Sequence, residues 1–371
     1  MKFRFLSFFR YTLLAVVVAS LAVISGCDDD DDGDGGPTHA SIMELIQDDQ
    51  FKQSATVPAT QALDSVAKYL SAYGVDALLA GSDKTLFAPS NQAFVNLLTT
   101  TPGFPSNIES ISPNIIAGVL AYHIVASKNL KADLTSGTTL NTLFSQPDNC
   151  NPTGGGEVQV ITINADGTLL TGSSNAEIEI TSADNLTTTD GVVHVTESVL
   201  IPPSIGATLP PLLTTIAGPV LLSSDFSIMA GLMTYADCAI TNPTTTPPLT
   251  NILANPDGTY TVFFPPNAVF AGAGLGDTVG EVIASLAGAG LDTPEEIRGL
   301  ILGHIVPTGD MSADELSDAA PTTLTAMNTQ QIEVSLNRDV IILNGETRVA
   351  VADAAARGNG TLHAIGGILG M

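Results

Sequence analysis

The sequence predicts a protein of the α+β class, in which two copies of one domain follow each other along 371 residues. A ten-residue segment occurs twice, as TLFAPSNQAF at 85–94 and as TVFFPPNAVF at 261–270, with five identical positions. The histidines also form pairs: His123 with His304, 181 residues apart, and His194 with His363, 169 residues apart. Matches at such similar separations indicate a duplicated domain, and each copy is long enough to bury its own core.

The first half of each copy carries helix signals. KTLFAP alternates and predicts a strand that ends at Pro89, after which Ser90 or Asn91 can cap the helix NQAFVNLL. The next helix, SPNIIAGVLAYHIV, starts with a cap and a proline at its first helical position. Its counterpart, TPEEIRGLILGHIV, adds Glu296 three residues after Thr293, which predicts a capping box.

The second half of each copy carries strand signals. Apolar and polar residues alternate in EVQVITINADG, NAEIEITSAD and GVVHVTESVL, and again in QIEVSLNRDVIILNG, ETRVAVAD and GTLHAIGGIL. Gly, Asn and Asp turns separate these segments, which is typical of antiparallel strands. Helices followed by antiparallel strands predict an α+β unit, a β-wedge or sandwich flanked by several helices.

Proline-rich and turn-rich segments suggest the domain boundaries. The four prolines of LIPPSIGATLPPLL predict a short, stiff linker at about 202–211, between a first domain at 38–203 and a second at 204–371. The first copy also has twelve extra residues, QPDNCNPTGGGE, which predict a protruding loop.

The N-terminus predicts export and a lipid anchor. Residues 1–26 combine a cationic start with an apolar run of 16 residues, which is typical of a signal peptide and short for a membrane span. The run ends in ISGC, which resembles the lipobox of bacterial lipoproteins and predicts acylation of Cys27; the alternative is an ordinary signal peptide followed by an incidental cysteine. Several acyl chains on one residue would make a lasting anchor.

An acidic segment follows the predicted lipidation site. Residues 27–37 include DDDDDGDGGP, which predicts a solvated tether, since a calcium loop would need an acidic residue where His39 stands. Acidic residues just after such a cysteine also resemble the export tag of surface lipoproteins in the Bacteroidetes group. The predicted location is therefore the bacterial outer membrane, at the cell surface.

The charge balance excludes one class of partner. The chain has 12 Lys and Arg against 38 Asp and Glu, a formal net charge of −26. Loss of Lys2, Arg4 and Arg10 with the signal peptide would leave nine basic residues and a charge of −29. Such a surface repels phosphate backbones, so nucleic-acid binding is not expected, whereas weak attraction of divalent cations is.

The sequence shows no recognisable catalytic or metal-binding pattern. G-x-S-x-G, H-E-x-x-H and Walker segments are absent, and the cysteines do not have metal-ligand spacing. We therefore expect no catalytic residue, no metal site and no cofactor. Cys150 and Cys238 are expected in an oxidising compartment, where they either form a disulfide or stay as two free thiols.

Taken in this order, the segments resemble the fasciclin-like domain family. In the first copy TLFAPSNQAF, LAYHIV and DGVVHVTESVLIPP are similar to the family's first motif, its Tyr-His helix and its second motif. The second copy is more divergent, because Gly303 replaces Tyr122 and the last segment shortens to ILGM. The resemblance implies tandem, non-catalytic domains with a role in adhesion or extracellular matrix contacts. It also marks Tyr122 and His123 as candidates for partner binding.

The paired histidines have a structural interpretation as well. His123 and His304 lie on apolar helix faces, which favours neutral, hydrogen-bonded core residues over metal ligands. His194 and His363 alternate with Val or Ala in strands, and Asp184 and Asp353 precede them by ten residues. Our hypothesis is a buried His–Asp or His–backbone hydrogen bond that fixes the last strand of each copy.

These observations predict a membrane-anchored extracellular adhesion or binding protein without catalytic activity. The expected partners are cell-surface or matrix polysaccharides or proteins, with the membrane contacted through the lipid anchor alone. Two alternatives remain at this stage: an envelope scaffold that binds a partner protein, and a glycan-capture subunit that accompanies a hydrolase.

Overall fold

The computed structural model describes residues 39–146, 156–171, 176–182, 185–240, 243 and 246–371. Cys27, the predicted signal peptide and the acidic tether lie outside the described residues, as does most of the predicted loop of the first copy.

In the first copy, four α-helices and eight strands are described. The helices are α1 (Ile42–Gln47), α2 (Asp64–Ala72), α3 (Asn91–Thr100) and α4 (Pro113–Tyr122). The strands are β1 (Lys84–Pro89), β2 (Ile124–Val125), β3 (Thr139–Gln146), β4 (Glu157–Ile163), β5 (Leu169–Thr171), β6 (Ala176–Ile178), β7 (Leu186–Thr187) and β8 (Gly191–Thr196).

The rest of the described chain has eight helices and seven strands. The helices are α5 (Pro203–Thr214), α6 (Ala217–Leu221), α7 (Ser227–Asp237), α8 (Leu249–Leu253), α9 (Asn267–Gly272), α10 (Val279–Gly288), α11 (Pro294–Leu302) and α12 (Ala313–Ala319). The strands are β9 (Tyr260–Phe264), β10 (Ile305–Val306), β11 (Thr322–Thr325), β12 (Gln331–Asn337), β13 (Val340–Leu343), β14 (Thr347–Arg357) and β15 (Gly360–Ile365).

Each copy builds one sheet in which an equivalent strand, β1 or β9, lies between one parallel and one antiparallel neighbour; we call it the central strand of that copy. The strand orders are β6-β5-β4-β3-β2-β1-β8-β7 and β10-β9-β15-β14-β13-β12-β11. β1 pairs parallel with β8 and antiparallel with β2, and β9 pairs in the same way with β15 and β10. The predicted α+β class is confirmed. The parallel pairing of the first motif with the last strand is a feature that local sequence patterns do not reveal.

Alternation along the central strand divides the core of each copy into two parts. Leu86 and Ala88 of β1 face the helices, where they pack with residues of α1 to α4. Phe87, between them, faces the other side and packs among the strands with Tyr122 and Ile161. Successive side chains of a strand point to opposite faces, so one buried strand contributes to both parts. Burial of a phenylalanine such as Phe87 contributes about 1.5–3 kcal/mol.

The helix starts follow the capping signals. Ser90 is the N-cap of α3, where its side chain accepts a hydrogen bond from the backbone N–H of Ala93. Thr293 and Glu296 form the predicted capping box of α11, whose first residue is Pro294. α4 likewise starts at Pro113, although the side chain of its N-cap residue, Ser112, makes no capping hydrogen bond. Caps such as Ser90 and Thr293 satisfy N–H groups that have no partner within the helix.

The prolines between the copies lie in a helix, and the linker expected at about 202–211 stays a prediction. Residues 203–214 form α5, with Pro203 in its first turn and Pro210 and Pro211 inside it. Proline in a helix interior removes a hydrogen bond, which is why the sequence suggested a linker. Here the helix is held by contacts at both of its ends. The N–H of Ser204 donates to Gln159 in β4, and Leu212 is buried in the second copy's core.

The two copies also contact each other through backbone hydrogen bonds. Ile111 and Ser223 form an antiparallel bridge. On either side of it, Ser112 N donates to Leu222 O at 2.7 Å and Ser224 N donates to Ser110 O at 2.8 Å. The segment before α4 is therefore tied directly to the segment between α6 and α7.

Candidate functional site

The two helix histidines occupy equivalent buried positions. His123 follows α4, and its Nδ1–H donates to Val119 O at 2.7 Å while its Nε2 accepts from Leu200 N at 2.9 Å. His304 repeats this arrangement after α11, with Leu300 O and Leu369 N as its partners, each at 2.9 Å. Each ring thus links the end of a helix to the segment that follows the last strand.

These partners fix the protonation state of both rings. A carbonyl can only accept and an amide N–H can only donate, so each ring carries one proton, on Nδ1, and is neutral. Burial lowers the pKa of His123 and the pKa of His304 from 6.5 to about 4. This matches the interpretation of both as neutral, hydrogen-bonded core residues.

The strand histidines occupy a second pair of equivalent positions. His194 in β8 lies opposite Phe87 in β1 and stacks on its ring with a centroid distance of 5.6 Å. His363 in β15 stacks in the same way on Phe263, at 5.4 Å. Both imidazoles face the core among the strands, on the opposite side of the sheet from their valine, leucine and alanine neighbours.

The strand histidines bind the loop that follows β2 in the first copy and β10 in the second. His194 Nε2–H donates to Asn129 O at 2.8 Å, and His363 Nε2–H donates to Met311 O at 2.9 Å. A threonine of the central strand binds the same loop in both copies: Thr85 accepts from Asn129 N, and Thr261 accepts from Met311 N. A loop residue in each copy is therefore held from two adjacent strands.

Among the described residues, the predicted contact between a strand histidine and an aspartate occurs in the second copy. The backbone N–H of Asp353 donates to Nδ1 of His363 at 3.2 Å, and the Asp353 carboxylate lies 3.7 Å from the same nitrogen. That carboxylate also accepts from Ala313 N at the start of α12. Burial lowers the pKa of His363, as it lowers the pKa of His194. Asp184 lies outside the described residues, so its role stays a prediction.

Sequence reasoning missed two asparagines that link one helix to another. Asn91, the first residue of α3, accepts from Ser65 N in α2, and Asn267 accepts from Ile228 N in α7. The duplicated segments TLFAPSNQAF and TVFFPPNAVF contain both residues at the same place. Their shared position in the duplicated segment indicated a common role. The sequence suggested, however, that this residue caps its own helix and not that it binds another one.

A second missed pair lies immediately before the last strand of each copy. The carboxylate of Asp190 accepts from Ile42 N, the first residue of α1. Asn359, at the equivalent place, accepts from Ile216 N and donates to Leu253 O and Asn255 O. These side chains join the end of each copy to its beginning.

Tyr122 and His123, the predicted contacts for a partner, lie in the core, and their binding role stays a prediction that their burial disfavours. Both side chains are 0% exposed. The hydroxyl of Tyr122 donates to Val160 O in β4 at 2.7 Å, so this ring fastens α4 to the strands. In the second copy, a Cβ on Gly303 would lie 2.8 Å from the side chain of Asn328 and 3.0 Å from that of Gln330. Glycine at this position leaves room for those two amides.

The predicted lipidation and disulfide sites fall partly outside the described residues. Cys27 and Cys150 both lie there. Cys238, the residue that directly follows α7, is disulfide-bonded. Its pairing with Cys150 stays a prediction.

The described part of the chain contains no group of three or more His, Cys, Asp or Glu residues arranged to hold a metal ion. None of its helices combines the length and the apolar character that a membrane span requires.

Comparison with known proteins assigns the fold to a family. The Fasciclin domain matches residues 61–202 and again 240–371, which together make up most of the chain. The chain belongs to the fasciclin domain family. Its paired histidines, asparagines and central strands are thus repeated features of two fasciclin domains, and the tandem arrangement expected from the duplicated segments is confirmed.

Individual relatives are distant. The chain is 23% identical over 292 residues to the transforming growth factor-beta-induced protein ig-h3 of Sus scrofa, with 77% of this chain and 34% of that protein covered. It therefore spans about a third of that relative's length. An uncharacterized protein of Synechocystis is 30% identical over 164 residues, covering 43% of this chain and 97% of its own.

A solved structure of a FAS1 domain pair, from the insect cell adhesion molecule fasciclin I, is also similar. It is 17% identical with a TM-score of 0.33, and the match covers 83% of this chain and 96% of the other. Fasciclin domains are typical of extracellular proteins of the cell-adhesion type.

Proposed function

We propose that this protein is an exported adhesion protein that binds a polysaccharide or protein on another surface, without catalysing a reaction. The observation that carries the proposal is the pair of fasciclin matches at 61–202 and 240–371. Two domains in tandem offer two sets of surfaces, and many anchored copies on one membrane would raise the effective concentration of weak individual contacts.

The hydrogen bonds of three buried histidines support a binding role over a catalytic one. His123, His304 and His363 each use both ring nitrogens in hydrogen bonds to backbone groups. A general base needs a ring nitrogen that can reach a substrate, and these three have none to offer. Recognition is therefore assigned to exposed surfaces.

The acidic surface suggests how such contacts form. Acidic residues outnumber basic ones by 38 to 12. We infer that divalent cations bridge exposed carboxylates to an anionic polymer, one weak contact at a time. Beads coated with the purified chain should bind an acidic polysaccharide in calcium, release it on chelation, and bind less as NaCl screens the contacts. Bead binding that changes neither with the chelator nor with ionic strength would exclude bridging by divalent cations.

A glycan array distinguishes the nature of the partner. Binding to defined acidic glycans in calcium supports the proposed adhesion to polysaccharide. Binding to neutral glycans would instead support a glycan-capture subunit beside a hydrolase. If no glycan binds while one protein of the cell envelope crosslinks specifically to the chain, the proposal gives way to an envelope scaffold.

Anchoring at Cys27 at the outer membrane is also part of the proposal, and the ISGC segment supports it. The C27A variant should lose incorporation of labelled palmitate and move from the membrane fraction to the soluble fraction. C238A keeps the anchor residue and serves as its control. Protease treatment of intact cells should then digest the chain that carries no substitution if that chain faces outward. Protection from the protease would place it inside the envelope.

A further inference from the structure

A groove of about 530 Å³ lies where the two fasciclin domains meet, and none of the four paired histidines lines it. Phe104 of the first domain lines one side, and Phe226, Leu362 and Ala355 of the second domain line the other. A volume of this size falls within the range of roughly 300–1,000 Å³ that small-molecule sites occupy. The lining is mostly apolar, so it suits the hydrophobic part of a ligand.

One cationic side chain lines the same groove. Arg357 ends β14, and its Nε is buried without a hydrogen-bond partner among the described residues. Its Nη1 donates to the carbonyl of the neighbouring Ala356 at 3.0 Å. Arginine offers five N–H donors in a fork that fits a carboxylate, so much of this capacity is unused by the described protein groups.

The absence of a counter-ion at Arg357 is unusual for so acidic a chain. No described carboxylate lies within 4.0 Å of its guanidinium, although the chain has 38 acidic residues. Arg298 illustrates the ordinary solution: its side chain is 12% exposed, and it donates to Asp237 at 2.8 Å and to the carbonyl of Pro247. A partly buried guanidinium without such a partner complements an anion brought by a ligand.

We propose that this groove binds a small organic acid with an apolar body. The carboxylate pairs with Arg357, and the apolar body packs against Phe104, Phe226 and Leu362. Asp225 lines the exposed rim, and its charge disfavours a second anionic group on the ligand. The groove therefore selects a monocarboxylate over a neutral compound of the same shape and over a dicarboxylate.

Titration calorimetry with 1-naphthaleneacetate and its amide tests the charge requirement on the full chain. The acid should bind at least tenfold more tightly than the amide. Arg357→Gln should weaken binding of the acid at least tenfold and remove the difference between acid and amide. Arg348 lies on the same strand with its side chain exposed, so Arg348→Gln should leave both affinities within twofold of the original.

Two further variants keep the test decisive if Arg357→Gln fails to fold. Arg357→Lys keeps the charge without the fork and should give an intermediate affinity for the acid. Asp225→Asn should tighten binding of the acid by removing a like charge, without affecting the amide. Any of three results would overturn the proposal. The acid and the amide could bind equally well, or Arg357→Gln and Arg348→Gln could have equal effects. The acid could also fail to bind at about 10 mM, a concentration that corresponds to a binding free energy near −3 kcal/mol.

Discussion

At the scale of single residues, each of the two helix histidines is neutral, and its ring donates one hydrogen bond and accepts another. Each imidazole spans from the carbonyl one turn back in its helix to an amide beyond the last strand, at Leu200 or Leu369. A hydrocarbon side chain would remove the partner of the Leu200 or Leu369 amide N–H, and a protonated ring would face that N–H with its own second N–H. The neutral ring suits both contacts, and the fold therefore favours it over the charged one.

This preference predicts a loss of stability in mild acid. The folded-state pKa of His123 and of His304 is about 4, below the value of 6.5 expected when unfolded. The neutral rings thus contribute stability that is fully present above pH 6.5 and is lost as the pH falls towards 4. Between pH 7.5 and pH 5, each histidine should lower the free energy of unfolding by about 2 kcal/mol. Urea titrations at the two pH values measure it.

Substitution separates the histidines from other titrating groups. His123→Gln and His304→Gln should each be less stable at pH 7.5, and each should lose about 2 kcal/mol of the pH dependence. Carboxylates titrate mainly below pH 5, so they contribute little within this window. A variant that kept the full pH dependence of the original would show that its histidine is not the group responsible.

Tyr122 gives a second prediction at this scale. Tyr122→Phe removes the hydrogen bond to Val160 O and should lower the free energy of unfolding by about 1 kcal/mol, while binding to any partner stays unchanged. Tyr73→Phe is a suitable control, because the Tyr73 hydroxyl makes no hydrogen bond among the described residues. Loss of adhesion in stable, folded Tyr122→Phe would restore the binding interpretation that burial argues against.

At the scale of elements, the fold depends on how closely the last strand of each domain approaches the central strand. Gly191 opens β8 beside Lys84, and Gly360 opens β15 beside Tyr260. A Cβ at either glycine would lie 2.3 Å from the carbonyl oxygen of that neighbour. A distance this short cannot be accommodated without moving backbone, so both domains need glycine here.

The glycine pair yields a prediction with a control of opposite sign. Gly191→Ala and Gly360→Ala should each lower the free energy of unfolding by about 1–3 kcal/mol, the usual effect of forcing atoms into a packed site. Gly299→Ala lies inside α11, where a new Cβ would meet nothing within 4 Å. It should raise stability by about 0.5–1 kcal/mol, because alanine favours a helix interior. Thermal unfolding of the three variants checks the order, and equal effects at Gly191 and Gly299 would contradict it.

At the scale of the whole molecule, local patterns were enough to predict duplication and class. The alternation around Phe87 and the proline after it predicted a buried strand followed by a helix, because both signals lie within ten residues. The contact of β1 with β8 could not be predicted in this way, since its partners lie about a hundred residues apart in sequence. The helix through Pro210 and Pro211 depends on contacts at both of its ends, which no local propensity contains.

The same limit applies to the site residues. Pairing of the histidines indicated a shared role, and their apolar neighbours indicated burial. The partners of Asn91 and Asn359 include backbone groups that lie far away in sequence, so the residue types alone could not identify them. Arg357 gives no signal in sequence at all, because its environment is made by two domains that only the fold brings together.

The excess of negative charge predicts how the whole molecule responds to salt. Acidic residues exceed basic ones by 26, and the repulsion among these charges disfavours the compact state. Salt screens the repulsion, because the Debye length falls from about 30 Å at 0.01 M to 3 Å at 1 M. Raising NaCl from 0.01 to 0.5 M should therefore raise the free energy of unfolding on the order of 1 kcal/mol, or about 2–4 °C in the melting temperature. MgCl₂ at matched ionic strength is the control: an equal rise indicates screening alone, and a larger one indicates cation binding. A melting temperature that falls with NaCl would mean that attractive ion pairs, such as Arg298 with Asp237, outweigh the repulsion.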